Sequence, residues 1–108
     1  MMRVGNAATV FAALGDDTRL HLVARLSANG PQSIMQLTDV VDVSRQAVTK
    51  HLVALEEAGL VRSEKAGRER IWELDTRRLG DAQRYLDQIS SQWDRAIDRL
   101  RAFVETDD

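Results

Sequence analysis

The stretch from Ser44 to Leu60 constrains the fold more than any other part of the chain, because it carries the whole pattern of one amphipathic helix. Ser44 suits the N-cap position, where a serine hydroxyl accepts a hydrogen bond from a free backbone N–H of the first turn. Gly59 stands where helices commonly end in a left-handed residue. Three apolar residues follow the i, i+4, i+7 spacing of a buried face, namely Val48, Leu52 and Leu55. The sequence therefore predicts a helix that packs on a core along one side.

The opposite face of this helix is polar and carries no acidic residue before Glu56. At about 100° per residue, Gln46, Thr49 and Lys50 point away from the apolar stripe. A helix with such a first half suits the major groove of duplex DNA, where its N-terminal residues reach base edges. An ordinary amphipathic surface helix gives the same pattern, so the neighbouring segments have to decide between the two.

Two helices are predicted before this region. Residues 4–14 carry apolar side chains at helical spacing and are followed by Gly15. Asp16 suits the N-cap of the next helix, which should stop at Asn29-Gly30-Pro31, because glycine favours a left-handed end and proline cannot continue the helix.

A short third helix should begin at Ser33-Ile-Met-Gln36, which fits the capping box of serine followed three residues later by glutamine. We expect this helix to carry Ile34, Leu37 and Val40 and to lead through residues 41–43 into the Ser44 helix. Two helices joined so closely form a helix-turn-helix, here over residues 34–58. Any helical hairpin in a bundle has the same outline, so that alternative stays open.

A β-hairpin is predicted directly after these helices, over residues 60–74, with its turn at Ala66-Gly67, where glycine accepts a positive φ. The basic residues near its tip are Lys65, Arg68 and Arg70. A hairpin that follows a recognition helix is a wing, and a basic tip suits phosphates or the adjacent minor groove. Glu64 and Glu69 keep open the alternative of an ordinary solvated hairpin end.

A long last helix is predicted over residues 76–104, capped by Asp75 or Thr76. Its apolar residues alternate at intervals of three and four, the pattern of a seam between two helices: Leu79, Ala82, Leu86, Ile89, Trp93, Ala96, Leu100 and Phe103. At 1.5 Å per residue this helix is about 42 Å long, which exceeds what a small domain needs to cover its core. We therefore expect a second copy of the chain to cover the stripe, and residues 1–3 and 106–108 to be loose ends.

Composition narrows the possible functions. The chain has 108 residues, which suits a single domain, and no cysteine, which excludes disulfides and thiolate metal sites. Its net charge of −2 disfavours nucleic-acid binding, but residues 44–72 hold six basic and four acidic side chains, a local charge of +2. Residues 75–108 hold six arginines and eight acids, a local charge of −2. A basic middle on an acidic body is compatible with one surface that faces DNA.

The sequence offers no support for an enzyme, a cofactor or a membrane protein. It has no cysteine nucleophile, no glycine-rich phosphate loop and no signature that joins a histidine to a serine, so we predict no catalytic residue and no cofactor. No apolar run is long enough to span a bilayer. No export signal opens the chain, and we expect a cytoplasmic protein.

Four motifs resemble the ArsR family of bacterial winged-helix repressors: Phe11-Ala-Ala-Leu-Gly-Asp-Asp-Thr-Arg19, Ser44-Arg-Gln-Ala-Val-Thr-Lys-His-Leu52, Glu57-Ala-Gly-Leu-Val61 and Gly67-Arg68. The first departs from the family at Asp17, where proline is usual. The resemblance covers nearly the whole chain and implies a mainly α fold with a small β-hairpin (α+β), in the order α-α-α-α-β-β-α. It also implies a homodimer that binds double-stranded DNA at an operator and is released by an inducer.

The predicted sites follow from these motifs and patterns. The predicted DNA contacts are Ser44, Arg45, Gln46, Thr49, Lys50, His51, Lys65, Arg68 and Arg70. The predicted dimer interface comprises Val10, Phe11, Leu14, Leu79, Ala82, Leu86, Ile89, Trp93, Leu100 and Phe103. Two-fold symmetry would set the recognition helices about 34 Å apart, so the operator should be palindromic with half-sites about 10 base pairs apart.

The chain departs from the metal-sensing members of the family it resembles. Those sensors use cysteines, or an Asp/His and His/Glu set on the last helix, whereas this chain has histidines only at positions 21 and 51. We predict no transition-metal site. A metal-responsive repressor with an oxygen-ligand site at Asp94 and Asp98 is an alternative, and a winged-helix protein-interaction module without specific DNA binding is another. The sequence leaves the inducer open: a small apolar ligand, a partner protein or autoregulation.

Overall fold

The computed structural model describes residues 4–106, which form five helices and a three-stranded antiparallel sheet with a helix-turn-helix at the centre. In chain order the elements are α1 (Val4–Leu14), α2 (Asp17–Asn29), β1 (Gln32–Ser33), α3 (Ile34–Thr38), α4 (Arg45–Glu57), β2 (Val61–Ala66), β3 (Glu69–Leu74) and α5 (Thr76–Thr106). The expected loose ends at residues 1–3 and 107–108 lie outside the described residues, whereas Thr106 still belongs to α5.

The predicted helix starts are confirmed. Asp16 Oδ2 accepts a hydrogen bond from the Arg19 amide at 2.9 Å, and Ser44 Oγ accepts one from the Ala47 amide at 3.1 Å. Ser33 and Gln36 form the complete capping box, each side chain accepting from the other residue's backbone N–H. These caps satisfy amide groups that the helices themselves leave without partners.

The end of α4 is also as predicted. Gly59 has φ +78°, its amide donates to the Glu56 carbonyl, and the Leu60 amide donates to the Leu55 carbonyl at 2.9 Å. This pair of bonds is the arrangement that closes a helix through a left-handed glycine. The chain therefore turns sharply out of α4 and into the hairpin.

Three details of the predicted architecture are corrected. The sheet contains β1, which pairs with β3 through Gln32 opposite Trp72, so the element order has a strand that the sequence did not predict. Helix α3 ends at Thr38, so Val40 lies in the connection and not on the helix. The two residues between the paired strands are 67–68 and not 66–67, because Ala66 pairs with Glu69.

The core lies between α2, α3, α4 and the sheet. Val48, Leu52 and Leu55 on α4 are completely buried, as their spacing predicted. They pack in one cluster with the buried side chains Leu22, Leu26, Leu37, Leu60, Val61 and Trp72. Each such aliphatic side chain contributes about 1.5–3 kcal/mol through burial. The cluster fixes the orientation of α4, so the polar face of α4 points to solvent.

Helix α5 packs along α1 with its first half and continues past the rest of the chain. The described residues extend 71 × 30 × 21 Å, with a radius of gyration of 18.9 Å. A compact chain of this length has a radius of gyration of about 13 Å. Within the described part of the chain, the large apolar side chains in the C-terminal half of α5 are exposed. None of the described helices combines the length and the apolar character that crossing a membrane requires.

Candidate nucleic-acid interface

The first half of α4 presents a continuous polar surface. Arg45, Gln46 and Lys50 are exposed. Thr49 is half-buried, and its hydroxyl donates to the Arg45 carbonyl at 3.0 Å. That bond uses the only proton of the hydroxyl, so Thr49 can offer a ligand its methyl group and its oxygen lone pairs. Ser44 is exposed at the start of the helix, but its side-chain oxygen is committed to the cap.

His51 has a partner inside the chain. It is half-buried on α4, and its Nδ1 lies 3.8 Å from Oδ2 of Asp16, the N-cap of α2. The pKa of Asp16 is lowered chiefly by the hydrogen bond from the Arg19 amide, with the charge of His51 as a smaller cause. His51 thus joins α4 to the start of α2, in addition to any contact it makes with DNA.

The basic residues of the hairpin fall into two positions. Lys65 and Arg70 lie opposite each other in the β2–β3 register. Because side chains alternate along a strand, Arg70 shares its face of the sheet with Trp72, which is buried against the body of the protein. Arg68 lies in the turn and is exposed. Of these three predicted contacts, two therefore lie on the inner face of the hairpin and one lies at its tip.

The structure brings the α4 and hairpin residues together at one place. Arg45, Arg68 and Arg70 line a single cavity of about 200 Å³, and Glu69 and Met35 line it beside them. Met35 is 59% exposed. The sequence analysis did not include Met35 among the site residues, although its place in the first turn of the predicted third helix was a signal for it.

Sequence reasoning also overlooked two residues that join the hairpin to α4. Arg70 Nη1 donates to Ser63 Oγ at 2.8 Å, and Ser63 Oγ donates to Oε2 of Glu56 at 3.4 Å. On the other face of the hairpin, Arg62 pairs with Glu73 at 2.8 Å, and this hydrogen bond raises the pKa of Arg62. The pairing of Ser63 with Arg70 depends on the β2–β3 register, which a single sequence does not state.

The predicted dimer residues separate into three groups by burial. Val10 and Ala82 are 0% and 4% exposed and belong to the core of one chain, so we remove them from the interface. They are buried because α1 packs directly against the first half of α5. Leu14, Leu79 and Ile89 are half-buried. The exposed members of the predicted set are Phe11, Leu86, Trp93, Leu100 and Phe103, and Ile97 and Val104 extend the same surface.

No group of three or more potential metal ligands occurs in the part of the chain that the structure describes. Asp94 and Asp98 are exposed, one turn apart on α5. Two carboxylates are too few for the six to eight oxygen ligands that calcium takes. The geometry therefore adds nothing to the alternative of an oxygen-ligand site.

Comparison with known proteins gives a consistent result. A helix-turn-helix domain family matches residues 14–64. The HTH-type transcriptional regulator Rv2034 of Mycobacterium tuberculosis is 36% identical over 95 residues, which cover 88% of this chain and 85% of that protein. An ArsR-like transcriptional regulator from Rhodococcus sp. RHA1 superposes with a TM-score of 0.78 at 38% identity, covering 93% of both chains. The arsenical resistance operon repressor of Escherichia coli is 36% identical over 59 residues, 55% of this chain and 50% of that one.

Proposed function

The chain belongs to the ArsR-like family of helix-turn-helix transcriptional regulators and is a DNA-binding regulator, and on that premise we propose that it is a homodimeric repressor of a palindromic operator. The observation that carries the proposal is the convergence of Arg45 from α4 with Arg68 and Arg70 from the hairpin around one cavity. Three arginines from two elements, against the single acidic residue Glu69 in the same lining, give this cavity a positive charge that suits a phosphodiester backbone.

We assign base recognition to the first half of α4. Arg45, Gln46 and Lys50 are exposed there without an acidic neighbour on the same turns. A glutamine amide bonds two edge atoms of adenine at once, and an arginine does the same for guanine. Thr49 can contribute its methyl group, and Ser44 and His51 can add contacts to the DNA backbone beside their bonds within the chain.

We assign phosphate binding to the hairpin. Lys65, Arg68 and Arg70 carry three positive charges on the inner face and at the tip. Contacts to phosphates fix the position of a protein on DNA without reading its sequence, and each one releases a condensed counterion. The hairpin should therefore supply affinity and salt dependence, and α4 should supply most of the specificity.

We propose that the second copy packs on the exposed stripe of α5 together with Phe11. Phe11 lies against Tyr85 of α5, with 6.3 Å between the ring centroids, so α1 and α5 present one continuous apolar surface. An apolar surface of this extent usually marks an interface. A two-fold axis through it would set the two α4 helices one duplex turn apart, about 34 Å.

The proposal implies a protein without enzymatic activity that works in the cytoplasm, where bacterial operators are found. The test is binding of the purified chain to the DNA around its own gene, measured by fluorescence anisotropy at several salt concentrations. Arg68→Ala should weaken binding to all sequences alike and lower the slope of log affinity against log salt by about one unit. An unchanged slope would show that the hairpin tip does not contact DNA.

Glu64 and Glu69 on the hairpin favour one rival, a winged helix that binds protein and not DNA. Retention on heparin that falls with rising salt would favour DNA binding. Equal affinity for all duplexes, with no protected site near the gene, would contradict the operator proposal and leave the rival in place.

A further inference from the structure

We propose that Ser63 is a positioning residue, which holds the guanidinium of Arg70 ready to contact a DNA phosphate, and that Glu56 orients the Ser63 hydroxyl. This inference rests on the proposed phosphate contact of the hairpin. The three residues come from β2, β3 and α4, so their hydrogen bonds join the hairpin directly to the recognition helix.

The direction of the hydrogen bonds supports this assignment. Ser63 Oγ accepts from Arg70 Nη1 at 2.8 Å and donates its own proton to Glu56 Oε2 at 3.4 Å. With its proton directed at Glu56, the hydroxyl turns its lone pairs toward Arg70. A guanidinium has five N–H donors in a fixed plane, so the bond to Ser63 leaves most of them for a phosphate.

The charges of the hairpin support it as well. Arg62, on the outer face, forms an ion pair with Glu73 at 2.8 Å, and that carboxylate offsets much of its charge. Among the described residues, no carboxylate lies within ion-pair distance of Arg70. A neutral hydroxyl restrains the Arg70 side chain without neutralising it. Arg62 and Arg70 therefore differ, and Arg70, whose charge is not offset by an ion pair, lines the cavity between α4 and the hairpin.

The expected benefit is entropic. A free arginine loses rotamer freedom when it is fixed on DNA, and prior restraint by Ser63 removes part of that cost. We expect Ser63→Ala to weaken operator binding about two- to tenfold. Ser63→Thr, which keeps the hydroxyl and suits a strand, should bind like the wild type. Ser27→Ala removes an exposed serine on α2 and is the matched control.

A double-mutant cycle tests whether Ser63 acts through Arg70. Dissociation constants are measured by anisotropy for the wild type, Ser63→Ala, Arg70→Ala and the double variant, with melting temperatures to verify folding. Arg70→Ala should lower the salt slope by about one unit, and Ser63→Ala should leave that slope unchanged. In the Arg70→Ala background, Ser63→Ala should cause no further loss of affinity.

The outcomes separate this inference from the function on which it rests. A loss for Arg70→Ala but none for Ser63→Ala would overturn the positioning role alone. An equal loss from Ser63→Ala with and without Arg70 would do the same, because the serine would then act by another route. No loss for Arg70→Ala would overturn both the hairpin's phosphate contact at this residue and the positioning role.

Two matched variants test the role assigned to Glu56. Glu56→Gln and Glu56→Ala both remove one negative charge near the DNA, but only glutamine keeps an oxygen that can accept the Ser63 proton. We expect the alanine variant to bind about twofold more weakly than the glutamine variant. Equal affinities would remove Glu56 from the arrangement.

Discussion

Gln46 is the residue whose chemistry is most informative about sequence recognition. It is exposed at the second position of α4, beside the Ser44 cap. Its amide N–H can donate to N7 of adenine while its carbonyl accepts from the N6 amino group. Both atoms lie on the major-groove edge of the base, so this recognition requires the helix to lie in the major groove. The neighbouring cations can bind either bases or phosphates, so their removal is less diagnostic.

Replacing Gln46 with alanine should relax discrimination at one operator position and cost about 1–3 kcal/mol of binding free energy there. The measurement is affinity for a panel of duplexes that carries each base substitution in one half-site. Arg68→Ala serves as the control, because it should weaken all members of the panel alike. If Gln46→Ala keeps the same base preferences as the wild type across the panel, Gln46 does not take part in sequence recognition.

The stability of the folded protein at low pH should depend on the carboxylate of Asp75. It accepts hydrogen bonds from the Nε, Nη2 and backbone N of Arg77, and these lower its pKa from 3.8 to about 2. A carboxylate with a depressed folded-state pKa adds stability above its unfolded pKa and loses it as the pH falls through the folded value. We expect the stability advantage of the wild type over Asp75→Asn to shrink between about pH 4 and pH 2. Urea unfolding at several pH values measures it, and a constant advantage would contradict the assignment.

Operator affinity should not depend on a transition metal, because the chain has no thiolate and no histidine on α5. Binding is compared after EDTA treatment and after stoichiometric addition of zinc, copper or nickel. A tenfold loss of affinity with any one of these metals would reveal a site that the residues do not suggest.

At the scale of elements, the close approach of the end of α4 to the start of α5 depends on Gly59. Its φ of +78° disfavours any side chain, and a Cβ there would lie 2.8 Å from Cγ of Arg78. Gly67 has φ +65° but open space around it. A substitution at Gly67 therefore tests backbone strain alone, whereas one at Gly59 tests backbone strain and close packing together.

We expect Gly67→Ala to cost about 1–2 kcal/mol of stability through its left-handed backbone alone. Gly59→Ala should cost more, since the methyl group also displaces the Arg78 side chain. The double variant Gly59→Ala with Arg78→Ala should lose less than the sum of the two single changes. Equal costs for the two glycine substitutions, measured by urea unfolding, would show that Arg78 adjusts without penalty.

Elements formed by interactions between residues close in sequence were predicted correctly, and those formed by residues far apart in sequence were not. The starts of α2, α3 and α4 depend on caps within three residues, such as Asp16 to Arg19 and Ser33 to Gln36, and these were predictable. Strand β1 exists because two residues pair with β3 almost forty positions later, and so short a segment has no alternation of its own. The bond from Arg70 to Ser63 spans only seven residues, and it was missed because it depends on the β2–β3 register, which was wrong since the turn was placed one residue too early.

At the scale of the whole molecule, periodicity did not distinguish burial within a chain from burial between chains. The apolar pattern of α5 is continuous, yet Ala82 is covered by its own chain while Trp93 is 65% exposed. The difference arises because α1, with 11 residues, packs against only part of α5, which has 31. The dimer interface stays a prediction, now centred on that second half.

Trp93→Ala tests this interface. A large aromatic side chain buried between two copies should cost roughly 3–5 kcal/mol on truncation, enough to convert many dimers to monomers. DNA affinity should fall too, because each half would then bind alone. Leu20→Ala, at an exposed site on α2, is the control. Sedimentation that shows a wild-type monomer at tens of micromolar, with tight operator binding intact, would contradict both the dimer and the palindrome.

The overhang of α5 has a consequence for gene dosage. The proposed dimer surface lies mainly on α5, and the predicted DNA contacts lie on α4 and the hairpin, so a monomer would present only one set of DNA contacts and would repress less effectively. Where dimers and monomers exchange at cellular concentrations, occupancy of the operator follows roughly the square of the monomer concentration and not its first power. Halving the expression of the gene would then reduce operator occupancy about fourfold at low occupancy, and the dimer dissociation constant would set the concentration at which repression begins.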